Sequence, residues 1–411
     1  MFRPLLKYRK VLLLGDQAIF SGTSFLVTIM LARNLTVEEF GWYAGFVLVL
    51  YLFTSLISAF VVQPLQVSLP SAADKNGYLT FTFWFQTAIS SLFIAMIPLV
   101  LWLPVGLPAG YAPLAGPAVL LSSGFVMQDY FRKRMLAEDR ITRAFLLDSL
   151  LMVGHLAVMV RMMAAPTISL STAMLLLGSG YLPPLLFGLY ASKPLIGLTD
   201  TWKHDLRSHL NQGKWLFYSA LVQWWAGNLF VVASGFFLGP AALGALRLVQ
   251  SVFGVLNVLF QTFENYVLPQ TASRMHESAE DGRRYLRQAS GRPLIFVSLL
   301  LLVLFVFSDS IMLLAGGEQF KEYGFLVKGM SVLYALIFAA YPVRIAIRAL
   351  MMNKVFFQGY VLTFLFGLMS SYLLLSVFHL AGAIAGLIIS QLILLVYWQL
   401  MLNKKEFLLW K

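Results

Sequence analysis

Residues 247–265, RLVQSVFGVLNVLFQTFEN, set an arginine, two glutamines, two asparagines and a glutamate into a stretch otherwise suited to hydrocarbon. Arg247, Gln250, Gly254, Asn257, Gln261 and Glu264 follow one another at intervals of 3, 4, 3, 4 and 3. That spacing puts all six on one face of an α-helix, with Leu248, Val249, Val252, Phe253, Val255, Leu256, Val258 and Leu259 on the others. From Arg247 to Glu264 the helix rises about 26 Å at ~1.5 Å per residue, close to the ~30 Å of a bilayer core. A polar group left against lipid costs several kcal/mol. Hydrogen bonding to a neighbouring helix, at about 0.6–2 kcal/mol per contact, would explain one such residue. Six in register, charged near both ends, point instead to a helix lining a water-filled cavity.

The surroundings support a membrane setting. Of 411 residues 59% are hydrophobic and 12% charged, against roughly 25% charged in a soluble domain. Apolar stretches of spanning length recur at 11–32, 40–64, 79–103, 113–131, 142–163, 170–192, 214–238, 240–268, 293–316, 323–347, 355–379 and 381–403, twelve in all. These runs are too long and too continuous for the alternating strands of a membrane barrel. The expectation is an all-α polytopic membrane protein. The first run exceeds the 7–15 residues of a cleaved signal and contains Asp16. The chain has no cysteine, so disulfides and thiolate metal sites are excluded.

The net charge of +12 is a topology signal. With the N-terminus inside, 25 of the 30 Lys and Arg residues fall in inner segments, from Arg3, Lys7, Arg9 and Lys10 to Lys404, Lys405 and Lys411. The remaining five are Arg33, Arg161, Arg247, Lys321 and Lys328. Both termini are therefore expected in the cytoplasm, and the surplus charge favours anionic membrane lipids rather than nucleic acid.

Residues 35–46, LTVEEFGWYAGF, and 238–249, LGPAALGALRLV, each join two spans through a short outer turn and align at Leu35/Leu238 and Gly41/Gly244. VQPLQ (62–66) and VLPQ (267–270) close the next spans, and RMLAEDR (134–140) echoes RALMMNK (348–354). Three echoes in one order predict two six-helix bundles, 1–192 and 214–411, separated by a cytoplasmic linker at 193–213. Six spans per half keep both halves in one orientation, related by a pseudo-two-fold along the membrane normal.

GDQAIFSGTSFLVTIMLARNLTVEEFGWYA (15–44) and YFRKRMLAEDR (130–140) resemble the polysaccharide-transporter branch of the multidrug/oligosaccharidyl-lipid/polysaccharide exporter superfamily. Length, span count and repeat extend the resemblance over the whole chain. It implies a flippase that moves an undecaprenyl-diphosphate-linked oligosaccharide outward across the bacterial inner membrane by alternating access. It also implies a cavity lined by spans 1, 2, 7 and 8.

Within that frame Arg247 is the first candidate for holding a diphosphate, because a guanidinium offers paired donors to phosphate oxygens. A snorkelling or salt-bridged arginine is the alternative. Span 1 carries a fainter polar face of Gln17, Ser21, Ser24 and Thr28, residue types that equally serve helix packing. In YSALVQWWAGN (218–228), Trp224 lies one turn from Asn228; stacking on sugar rings and core packing both fit. Lys328 is deep enough for substrate contact but long enough to snorkel, and Arg161 reads as a snorkeller. Asp16 and Asp148 lie five or six residues inside two ascending spans, at one depth. They are candidates for coupling to a proton or sodium gradient, with an ion pair to a nearby arginine as the structural alternative.

Four functions are compatible with such a chain: a lipid-linked oligosaccharide flippase, a cation-coupled multidrug exporter, a membrane glycosyltransferase and a transporter-derived subunit of a polysaccharide secretion complex. An amide-rich face with a basic end favours the first over a drug site. The outer loops, about ten residues at 104–112, leave little room for paired catalytic acids, and no P-loop pattern occurs. The expectation is a non-enzymatic transporter, functional as a monomer, without cofactor or metal, working beside other polysaccharide-assembly proteins.

Overall fold

A spanning backbone in lipid must satisfy its own hydrogen bonds, which an apolar run achieves as a helix. The computed structural model describes residues 2–102, 112–164, 168–194, 200–291 and 293–409, and these form helices with no strand. The outer turn at 104–112 (but for its last residue), linker residues 195–199, Arg292 and Lys411 lie outside the described residues.

In chain order the helices are α1 (Phe2–Asn34), α2 (Val37–Phe60), α3 (Val62–Ser68), α4 (Lys75–Trp102), α5 (Ala115–Ala137), α6 (Ile141–Met163), α7 (Leu170–Gly180) and α8 (Leu182–Ser192). They continue as α9 (Trp202–Leu238), α10 (Pro240–Glu277), α11 (Ala279–Gly291), α12 (Leu294–Val306), α13 (Ser308–Gly316), α14 (Gly324–Ala349) and α15 (Asn353–Lys404). Among the described residues nine helical stretches are long and apolar enough to cross a membrane. The 52 residues of α15 hold two spans, since the backbone leaves helical geometry at His379 (φ 49°, ψ −131°). With α1 and α5, which carry the buried charges described below, the count is twelve. Spans 2 and 6 are each made of two pieces. Tyr181 separates α7 from α8, where Pro183 and Pro184 occupy the opening positions, as expected of residues that cannot donate to a preceding turn.

The chain divides into two compact units. Unit 1 comprises Met1–Leu35 with Phe46–Leu221, and unit 2 comprises Thr36–Gly45 with Val222–Lys411. In unit 1, Leu65, Tyr130, Phe131 and Leu147 belong to one buried cluster with Trp202 and Leu206 packed against it. Residues 202–213, read from sequence as linker, form the opening turns of α9. They are pinned by His209, whose ring nitrogens lie 2.6 Å from the Tyr78 hydroxyl and 2.9 Å from the Phe60 carbonyl.

In unit 2, α2 begins with a capping box. The Thr36 Oγ1 accepts from the Glu39 amide at 3.2 Å, and the Glu39 carboxylate accepts from the Thr36 amide at 3.1 Å. One turn on, Gly41 and Gly244 pack directly on each other, so a Cβ on Gly41 would overlap the Pro240 carbonyl. The two glycines that align in the sequence echo thus face each other where α2 crosses α10. The amphipathic α11 lies against α10, with Leu286 buried and the Arg274 guanidinium 3.9 Å above the Tyr285 ring.

Candidate functional site

Gly239, at φ 93°, and Pro240 at the first helical position turn the chain from α9 directly into α10. The 38 residues of α10 then carry the predicted polar face through the full depth of unit 2. Its members differ in what surrounds them. Arg247 is half-buried and donates from Nη1 to Gln250 Oε1 at 2.9 Å. The buried Tyr334 of α14 faces this side of α10, its hydroxyl hydrogen-bonded with the Asn257 side chain and close to Arg247. Asn257 and Gln261 are exposed, as is the opposite rim at Val255 and Leu259. Glu264, in contrast, is buried between two arginines of α14. Arg348 pairs with its Oε1, and Arg344 Nε lies 3.5 Å from the same oxygen. The face is therefore open at its middle, internally paired at Arg247 and clamped at Glu264.

On α9, Trp224 is half-buried with its ring 5.2 Å from that of Trp225 in an edge arrangement, and Asn228 donates to the Trp224 carbonyl at 2.8 Å. The Asn228 amide thus has a local backbone partner. Lys328 is exposed on α14. In unit 1 the α1 residues bond along their own helix: Gln17 donates to Ser21 at 3.3 Å, and Thr28 to the Ser24 carbonyl at 2.8 Å.

Asp16 of α1 and Asp148 of α6 do come together, and Arg132 of α5 stands between them. Its Nη2 donates to Asp16 Oδ2 at 2.5 Å and its Nε to Asp148 Oδ2 at 2.6 Å. Gln128, one turn earlier on α5, donates to Asp148 Oδ1 at 2.7 Å. The Phe20 ring covers the guanidinium at 4.8 Å. Asp16 and Asp148 are only 2% and 1% exposed. Asp16 Oδ1 is buried with no hydrogen-bond partner among the described residues. Sequence reasoning found the two acids but assigned Arg132, Arg344 and Arg348 to the inner basic clusters. It missed Gln128 altogether.

The sequence profile of polysaccharide biosynthesis proteins matches residues 30–324. The chain belongs to this family. Curated proteins gave no sequence match. Among solved structures the family member shares its fold with lipid II flippase MurJ in an inward closed conformation, at a TM-score of 0.69 and 12% identity, covering 96% of this chain and 88% of that one. An inward-facing multidrug-resistance MATE transporter of the MOP superfamily is similar over 95% and 94% of the two chains, with a TM-score of 0.71 and 12% identity. A MOP superfamily transporter from Pyrococcus furiosus matches at 0.54 and 12% identity over 99% and 94%. This polysaccharide biosynthesis family member is thus a multi-pass, all-helical membrane protein with the two-bundle MOP fold.

Proposed function

We propose that the protein is a flippase that carries a lipid-linked oligosaccharide across the bacterial inner membrane, with both termini cytoplasmic and no catalytic chemistry of its own. The carrying observation is the polar face of α10: an arginine held in place by Gln250, followed by the exposed amides Asn257 and Gln261. Arg247 supplies paired N–H donors for phosphate oxygens. The amides supply neutral donors and acceptors for sugar hydroxyls without a charge that would hold them too tightly. Family membership in polysaccharide biosynthesis and a fold shared with a lipid II flippase support the same reading.

Energy input is assigned to the unit 1 charges. Two carboxylates against one guanidinium leave one negative charge in excess, and Asp16 Oδ1 has no hydrogen bond among the described residues. A proton or sodium ion arriving there would balance the trio and loosen the hold of Arg132 on α1. Asp16→Asn and Asp148→Asn are expected to slow transport and to flatten its response to the proton or sodium gradient. Wild-type transport indifferent to both gradients would remove coupling and leave flipping intact.

The deciding experiment is mass spectrometry of lipid-linked glycans extracted from cells lacking the protein. Accumulation of an inner-leaflet lipid-diphosphate glycan is expected. Unchanged glycans together with drug sensitivity would transfer the reading to a multidrug exporter.

A further inference from the structure

The end of unit 1 where α5 turns into α6 holds a cavity that the transport reading does not use. Its volume is about 440 Å³, and Asn76, Arg134, Arg140, Arg143, Tyr190 and Lys193 line it. Four of its ten lining residues are cationic. The facing acid is Glu138, which takes Arg134 at 2.8 Å and Arg140 at 2.9 Å. Four cations against this carboxylate leave three positive charges in excess, or two with the exposed Asp139 beside it.

The local backbone builds the cavity. Asp139, at φ 62°, ends α5, and the Arg140 amide bonds back to the Met135 carbonyl at 2.8 Å. Lys193, at φ 40°, ends α8. The carbonyls of Ala191 and Ser192 there accept from Arg143 at 3.4 Å and from Arg134 at 3.2 Å, the favourable placement of cations at a helix C-terminus. These bonds account for Nε and Nη2 of Arg134. They leave Nη1 buried with no hydrogen-bond acceptor among the described residues, on a residue 4% exposed that borders the cavity and lies beside the Tyr130 hydroxyl. Water would satisfy that donor; an anion would in addition offset the surplus charge.

We propose that this cavity binds a phosphate group, carried by an anionic lipid or by a soluble phosphate ester. Phosphate oxygens match the forked donors of Arg134 and Arg143 and the mobile ammonium of Lys193. A basic recess between membrane helices is a setting in which anionic headgroups bind. The site is independent of the α10 face and of the flippase reading.

Purified full-length protein would be mixed with dioleoylphosphatidylglycerol, with dioleoylphosphatidylcholine or with sodium diphosphate. Binding would be followed by native mass spectrometry and thermal unfolding. The wild type is expected to retain the anionic lipid over the zwitterionic one, or to gain thermal stability with diphosphate. The first result identifies a lipid source and the second a soluble one. The Arg140→Ala/Lys193→Ala double variant, altered at exposed positions, is expected to weaken that binding about tenfold with an unchanged ligand-free Tm. Should it unfold, Lys193→Ala alone replaces it. A wild type that binds neither probe, or a folded variant that binds as the wild type does, overturns the proposal.

Discussion

The charges of unit 1 and the polar face of unit 2 answer the same problem in opposite ways. Arg132, Asp16 and Asp148 are drawn from three helices and pair with one another, leaving Asp16 Oδ1 without a hydrogen bond among the described residues, with Gln128 and the Phe20 ring closing the group. In α10 the polar residues come from one helix and are only partly answered. Glu264 is clamped by Arg344 and Arg348, Arg247 is steadied by its own neighbour, Asn257 is exposed but meets the Tyr334 hydroxyl, and Gln261 is exposed. A closed group needs no solvent, because each desolvated charge has an opposite charge within hydrogen-bond reach. An open row of amides is stable at membrane depth where water or a polar passenger reaches it. In the proposed flippase, closure belongs to the element that holds a bundle together or switches it, and openness to the path.

The largest expected effect comes from opening the closed group. Arg132→Ala strands two buried carboxylates and is expected to cost about 3–5 kcal/mol, seen as a large fall in Tm of the purified protein and as low yield. Adding Asp16→Asn and Asp148→Asn removes the stranded charges, so the triple variant should recover much of the lost Tm. A single Arg132→Ala variant as stable as the wild type would show that the trio is solvated and would erase the contrast.

Next in size is the loss of Arg247, the proposed phosphate anchor. Arg247→Ala is expected to abolish glycan transport while inserting at normal levels. Arg247→Lys should keep part of the activity, because it retains the charge and loses the fork. Lipid-linked glycan export in a complemented deletion strain measures both. Normal export by Arg247→Ala would leave Arg247 as a structural partner of Gln250.

A smaller effect is expected at the clamped end. Glu264→Gln removes a buried charge shared by Arg344 and Arg348, but the two arginines are 33% and 42% exposed and solvent screens them, so the expected cost is about 1 kcal/mol. Transport should persist at a reduced rate. Complete loss of transport in a stably folded Glu264→Gln protein would move Glu264 from the clamp to the path.

The difference between the two regions also explains what could be read from sequence. The α10 face was legible because all its members sit on one helix, and a period near 3.6 reports which residues share a side. The break at His379 was legible for a similar reason, since two spanning lengths cannot fit one straight 52-residue helix. The trio was only half legible. Asp16 and Asp148 stand out as acids in apolar runs, but Arg132 is 116 residues from Asp16. A pair formed across that distance leaves no periodic trace. Its position in the basic run 132–134 made it look like one more inner-face charge, and the same reasoning hid Arg344 and Arg348. The polar stretch before Lys214 looked like linker because His209 and Arg207 interrupt it. The His209 partners Tyr78 and Phe60 lie far away in sequence.

The smallest effect on stability, and the finest test of the comparison, lies at the open middle of α10. Asn257→Leu and Gln261→Leu exchange exposed amides for apolar side chains of similar size. If these positions bordered lipid, each substitution would relieve an unsatisfied polar group and raise stability by several kcal/mol. If they bordered a packed helix, each would break an interhelical hydrogen bond worth about 0.6–2 kcal/mol and lower it. On a wet wall the exchange trades one solvated group for a poorly solvated one, and stability should move by no more than about 0.5 kcal/mol at Gln261 and fall by about 1 kcal/mol at Asn257, which also gives up its bond with the Tyr334 hydroxyl. Transport should nevertheless fall, because the passing sugars lose hydrogen-bond partners while Arg247 still holds the phosphate. Thermal unfolding and glycan export measured on the same two variants separate the cases: a nearly unchanged Tm for Gln261→Leu, with impaired export for both, is expected. A clear rise in Tm would place the face against lipid, and a clear fall at Gln261 would make it a packing seam, so either would end the claim that α10 lines the path.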